Sequence, residues 1–319
     1  MGTRMTRTGE ATPVTLLLTG AGGAERLERM LRDPALARTA VLAERRVAAA
    51  LTHGMVETLN AVSVPFPSGC ACCAPRDDMA RILRALLPRA RRGEIDRVVV
   101  VPGEAANPVS MLTALLADPA VSAAYRPRAI VTMADDQARA TQRRVAMADR
   151  IVARSGEAAW GDLNPLAPVI DPDREPFDTA MLIDAEAVMA GRPDRAPAAG
   201  EPGREAIGRG ELATTCLDWT GAWEEAALSA RLRHVAERLG EGLLRLKGLA
   251  RVQGRRHPVA LNGAGHRVGA FHPLPAGMGA EAPNRLVLIT DGITAAAIRE
   301  AVGVGDFQVS SVGGERLLA

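Results

Sequence analysis

"VTLLLTGAGGAERLERML", residues 14–31, sets the fold question for the whole chain. Its first seven residues form a largely apolar run ending in Gly20, the pattern of a buried parallel strand. From Ala24 onward Leu27, Met30 and Leu31 recur at helical spacing. Gly20, Gly22 and Gly23 fill the turn between them. A strand, a glycine-rich turn and a helix form the arrangement in which backbone N–H groups and the positive end of a helix hold a phosphate.

The residues after the glycines decide whether such a turn works on a nucleoside triphosphate. A working loop of this kind reads GxxxxGK[ST], with a lysine for the terminal phosphates and a hydroxyl for magnesium. Here the slots after the glycines hold Ala24 and Glu25, and a carboxylate repels phosphate. Of the 39 basic residues one is a lysine, Lys247, far downstream, so no register supplies the ammonium. Arg26 is the nearest cation. The acidic partner is missing too, because "RVVVVPGEAANP" (97–108) has valine where a magnesium-binding carboxylate would end the strand, and Glu104 comes only after the turn. A guanine-reading NKxD also needs a lysine, and "RSGE" (154–157) stands in its place.

Outward from this stretch the alternation continues. "TAVLAE" (39–44), "RVVVVPG" (97–103) and "RAIVTMAD" (128–135) read as strands. "DDMARILRALLPRARRG" (77–93) and "PVSMLTALLAD" (108–118) read as helices, and "QRRVAMADRIVA" (142–153) as a helix running into a short strand. Strands alternating with helices predict an α/β domain, a parallel sheet with helices on both faces. Residues 190–211, rich in Pro, Gly, Ala and charge, read as a linker. Beyond it come a strand through "CLDWT", a helix from about Trp223 to Leu239, a strand through "LLRLKGLARV", antiparallel pieces in 257–275, and a strand then helix in "NRLVLITDGITAAAIREAV". They predict a smaller α+β domain, so the expected division is 12–189, linker 190–211, and 212–313.

Composition excludes several classes. Aromatics are 3% of the chain, too few for a base-stacking surface, and the net charge of +2 is no basic footprint, so nucleic acid is not an expected partner. No apolar run is long enough to cross a bilayer, and "MGTRMTRTGEATP" lacks an apolar signal core. These features predict a cytoplasmic protein, where thiols stay reduced.

In that setting the cysteines stand out. Cys70, Cys72 and Cys73 fall within four positions in "PFPSGCACCAPRDD" (65–78), and the one other is Cys216. Thiolates are soft ligands that favour zinc. Gly69, Pro65, Pro67 and Pro75 suit the bend that three such neighbours need to share an ion, and a helix beginning near Asp77 favours the thiolate form. Two readings compete: small buried thiols, and a redox pair in the CxxC of Cys70 and Cys73. Cys216 reads as a lone core thiol. His257, His266 and His272 read as surface histidines of a hairpin, with a second metal or docking site as the alternative. Trp219 and Trp223 read as packing of the second domain.

The ordered set resembles the CobW-type family of metal-handling GTPases, relatives of UreG and HypB. The matching pieces are "VTLLLTG", "VLAERR" with Glu44, "SGCACCAPRDDMARIL" with its GCxCC, "VVPGEAANP", "QRRVAMADRIV", "DLNP" (162–165) and the two C-terminal stretches. The resemblance implies a P-loop GTPase-like parallel sheet followed by a CobW-type α+β domain. It also implies Glu44 as the fourth metal ligand beside Cys70, Cys72 and Cys73, with His53 or a client residue as alternatives. Zinc is the implied metal and a client metalloprotein or other protein the implied partner, in a homo- or hetero-oligomer. The departures all fall on the GTP and Mg2+ site, leaving Gly20, Gly22 and Gly23 as a degenerate phosphate loop and predicting lost GTPase activity. Two other readings stay open: an active GTP-dependent metallochaperone working through backbone amides and Arg26, and a catalytically dead scaffold.

Overall fold

The continuous valine, leucine and alanine runs form strands buried on both faces, as a parallel sheet requires. The computed structural model describes residues 12–18, 23–52, 54–59, 74–102, 108–134, 139–153, 160, 164, 167–171, 212–274, 284–303 and 308–312. The chain divides into two compact units, Met1–Met133 with Asp178–Ile183, and Ala134–Phe177 with Asp184–Ala319. The expected linker 190–211 lies outside the described residues.

The first unit runs β1 (Thr12–Leu18), α1 (Gly23–Leu31), β2 (Thr39–Glu44), α2 (Arg45–Ala49), β3 (Val56–Leu59), α3 (Ala74–Arg91), β4 (Arg97–Val101), α4 (Pro108–Ala117), α5 (Pro119–Ala124) and β5 (Tyr125–Met133). Strand β1 lies between β4 and β5, and β2 between β3 and β4, all parallel. The sheet order, with the next two strands of the chain, is β3-β2-β4-β1-β5-β6-β7. Val98, Val100 and Val101 of β4 and Val41, Leu42 and Ala43 of β2 are fully buried. Strand β5 starts three residues before the expected Arg128, because Tyr125, Arg126 and Pro127 extend the ladder with β1. The register then slips between Val14 and Thr15, which face Pro127 and Ala129. Pro127 has no N–H to give a ladder, and a bulge is where a strand tolerates it.

Helix α3 buries Met79, Ile82, Leu83 and Leu86, the stripe legible in its sequence. It is tied down by the Tyr125 hydroxyl, which donates to the Leu83 carbonyl at 2.9 Å. Burial pushes this phenol up to about 12. Asp118 caps α5, accepting from the Ala120 and Val121 amides at 3.0 Å each, with Pro119 as the first helical residue.

The second unit opens with α6 (Arg139–Met147), β6 (Arg150–Val152) and β7 (Val169–Ile170). It continues with β8 (Leu212–Trp219), α7 (Glu225–Leu239), β9 (Leu243–Ala250), β10 (Val259–Ala264), β11 (Arg267–Val268), β12 (His272–Pro273), β13 (Asn284–Asp291), α8 (Ala295–Val302) and β14 (Gln308–Val312). Strands β8 to β14 form an antiparallel sheet in the order β11-β10-β9-β13-β8-β14, with β12 also on β10. One face carries Leu217, Trp219, Leu246, Ala250, Val259, Leu261, Leu286 and Leu288, which pack with Leu228, Leu232 and Val235 of α7 and Ile298 and Val302 of α8. Trp219 and Trp223 meet edge to face at 6.4 Å, the expected packing of this region. Gly248 is obligatory in β9: a Cβ there would lie 2.2 Å from the Arg285 carbonyl oxygen of β13.

Candidate functional site

In a parallel sheet all strands end at one edge, and ligands of open α/β sheets bind outside those ends. Here the row is fixed by register. Glu44, the last residue of β2, is level with Leu59, the last of β3, and Ala43 is level with Val101, the last of β4. Leu16 of β1 pairs with Val100, so β1 ends within the same row. Neighbouring strands stand about 4.8 Å apart. In sequence, Gly20 comes two residues after the end of β1, and Cys70 eleven residues after the end of β3.

Glu44 is half-buried, at the boundary between the buried strand and the edge. Leu59, its neighbour across the ladder, is the last described residue before the cysteine segment, and Ala74, the first residue of α3, directly follows Cys73. Cys70, Cys72 and Cys73 themselves, like Gly20 and Gly22, lie outside the described residues. Their flanks do not: the segment leaves β3 beside Glu44 and re-enters at the N-terminus of an 18-residue helix. That helix end carries partial positive charge, which lowers a nearby thiol's pKa and favours the thiolate that binds metal. The helix starts three residues earlier than Asp77, so its first residue follows Cys73 in sequence with no residue between. Three thiolates with a carboxylate are a donor set that suits zinc.

The phosphate loop's flanks are also described. Gly23 is the first residue of α1, and Ala24 and Glu25 fill the rest of its opening turn. Strand β4 ends in buried Val101 followed by Pro102, and no carboxylate stands at the end of that strand. The residues flanking this turn do not fit a magnesium–triphosphate.

Elsewhere the described residues hold no group of three or more His, Cys, Asp or Glu side chains placed for a metal. His257 and His272 are half-buried and His266 is exposed. Cys216 is buried in β8, and burial pushes its thiol up to about 11, the behaviour of an unreactive core thiol.

A set of polar residues that sequence reading did not join lies in the second unit. Asp149 follows α6 and accepts from Lys247 Nζ at 2.5 Å and from Arg245 at 3.2 Å. All three are largely buried. Asn164, of the "DLNP" motif, is 2% exposed and directs its amide at the carbonyls of Val145, Ala146 and Ala148, at 2.8, 3.2 and 2.9 Å. It thereby closes the C-terminal end of α6. The available signal was the pair Arg245 and Lys247, two apart in the otherwise apolar "LLRLKGLA", which places both cations on one face of a strand.

Comparison with known proteins agrees with this architecture. Residues 14–156 match the family model described as the CobW/HypB/UreG nucleotide-binding domain, and residues 213–303 match the cobalamin synthesis protein cobW C-terminal domain. Among solved structures, the chain is similar to the Zn(II)-bound YjiA GTPase from E. coli, with 19% identity and a TM-score of 0.57 over 92% of this chain and 98% of that one. A zinc-bound triple mutant of YjiA, with a glutamate and two cysteines replaced by alanine, matches at TM-score 0.58 and 19% identity, with the same coverage. Among curated proteins none matches the chain in sequence. With both domain models matched in order, and the parallel and antiparallel sheets in place, the chain belongs to the CobW/HypB/UreG family.

Proposed function

We propose that this protein binds zinc through Cys70, Cys72, Cys73 and Glu44, as cargo that it buffers or passes to a client metalloprotein, and that it no longer hydrolyses GTP. The observation that carries this reading is the placement of Glu44 beside Leu59. The chain enters the cysteine segment next to a half-buried carboxylate and leaves it at the N-terminus of α3. In the mutant YjiA structure the replaced residues are a glutamate and two consecutive cysteines, at almost the same sequence separation as Glu44 and the Cys72–Cys73 pair. The loss of hydrolysis rests on Ala24 and Glu25 after the glycines, on Val101 at the end of β4 and on the lone downstream lysine.

The test is a paired titration of the purified protein with zinc and with a fluorescent guanine nucleotide. The reading expects zinc binding that disappears when the thiols are alkylated, and no magnesium-dependent nucleotide binding. Micromolar binding of GTP with magnesium would sink the claim of lost activity. It would support the second reading, an active GTP-dependent metallochaperone, which the GTPase named among the similar structures favours. Binding of neither ligand would favour a scaffold that pairs with a relative or a client. The domain limits 12–189 and 212–313 about a linker, and a cytoplasmic location, belong to the same proposal. No helix among the described residues is long and apolar enough to cross a membrane.

A further inference from the structure

The antiparallel sheet has a second face, opposite α7 and α8. Arg245, Lys247 and Leu249 of β9 and Val287, Ile289 and Asp291 of β13 share it, since side chains two apart in a strand leave on the same side. A sheet face that also buries Val287 and Ile289 is an expensive place for two cations, and buried charge is tolerated only when paired. Both cations reach one carboxylate, Asp149, and Asn262 of β10 accepts from Arg245 at 3.4 Å. A second tie runs from Arg143 of α6 to Asp291 at 2.7 Å. Thus α6 and the turn after it are bound to this face at two points. The turn is held in shape by Asn164, whose three carbonyl partners flank it. Lys247 is the one lysine among 39 basic residues. A compact ammonium on a flexible stem reaches a carboxylate already engaged by a guanidinium, where a second planar fork needs more room.

We infer that Asp149 is the pin of a latch: gripped by Arg245 and Lys247 and set by the Asn164 cap, it makes α6, β6 and β7 and the antiparallel sheet open and close together. Strand β6 runs on in sequence into 154–157, the slot of the missing base-reading motif. An event that pulls on β6 therefore reaches β9 and β10 through one buried carboxylate. The inference stands apart from zinc and nucleotide binding, and its test uses neither.

Native-state hydrogen exchange on the full chain, followed by mass spectrometry, reads the coupling. Asn164→Ala lies on the β6 side. It is expected to speed exchange of β9 and β10 amides along with β6 and β7, each on the order of 10-fold, the scale of uncapping buried carbonyls. Lys247→Met lies on the β9 side, leaves Asp149 paired with Arg245, and is expected to speed exchange in β6 and β7. Arg285→Ala removes a different ion pair of the same sheet, with Asp218; it is expected to loosen β13 and β8 and leave β6 at the wild-type rate. The latch is overturned if either of the first two variants speeds exchange only in its own segment, or if Arg285→Ala loosens β6 as much as Lys247→Met does. Should one variant fail to fold, the other, read from the opposite side, still decides.

Discussion

The turn after β1 and the inner face of β9 treat positive charge in opposite ways. At the turn a phosphate-binding fold calls for an ammonium, and the chain supplies Ala24 and Glu25. On β9 the surroundings are apolar and call for no charge, yet Arg245 and Lys247 are both there, secured by Asp149. One region has the strand, the glycines and the helix in sequence order without the lysine and hydroxyl of a working phosphate loop. The other has kept costly side chains whose use is mechanical. Fold and site chemistry are thus separable, because backbone geometry follows from apolar periodicity and glycine placement, whereas a reacting site hangs on single side chains.

That contrast can be broken at several points. The largest effect belongs to the cysteines: changing Cys70, Cys72 and Cys73 together to serine is expected to weaken zinc binding by well over 100-fold, since even outer-shell changes cost about 10–100-fold. Competition with a chromophoric chelator measures it, and a loss under about threefold would place the metal elsewhere. Next is Asp149→Asn, which removes the negative charge that Arg245 and Lys247 share and should cost about 3–5 kcal/mol in urea unfolding. A cost below about 1 kcal/mol would mean the cations are satisfied by other groups. Gly248→Ala forces a Cβ against the Arg285 carbonyl and should cost about 1–3 kcal/mol, loosening the second unit. Asp118→Ala, removing a cap in the first unit, should cost about 1 kcal/mol.

The pH dependence sharpens the comparison further, because among the described residues each unit has one buried acid with a raised pKa. Cys216 goes from 9.0 to about 11 and Tyr125 from 10.0 to about 12, both through burial. The folded form holds the proton more tightly than the unfolded one. The stability each contributes is therefore complete below the unfolded value and is lost as pH rises through the folded one. Unfolding free energy should fall from about pH 9 upward, and Cys216→Ala should remove the part lost between about 9 and 11. Tyr125→Phe should remove the part lost between about 10 and 12. An alkaline limb unchanged in both variants would contradict the assigned burial.

Most of the architecture was legible because it is written in periodicity. The valines of β4, the stripe of α3 and the alternation in β9 and β13 each declare strand or helix from neighbours a few positions away. Shorter pieces were not: β3 is four residues with Glu57 and Thr58 among them, and β14 mixes serine with valine, so neither shows a run. The candidate site was legible as far as its residue types and their order. The level placement of Glu44 and Leu59 is a matter of register, which no single segment specifies. The Asp149 cluster was illegible for a related reason. Its members are 96 and 98 positions apart, and their pairing exists only once α6 lies against β9.

Sparing use of lysine has a practical outcome. A protease that cleaves only after lysine has one target bond in this chain, between Lys247 and Gly248, in an interior strand with an ion-paired side chain. Intact protein should resist it, and a single cut yielding two fragments would report the moment the antiparallel sheet opens, with no label attached.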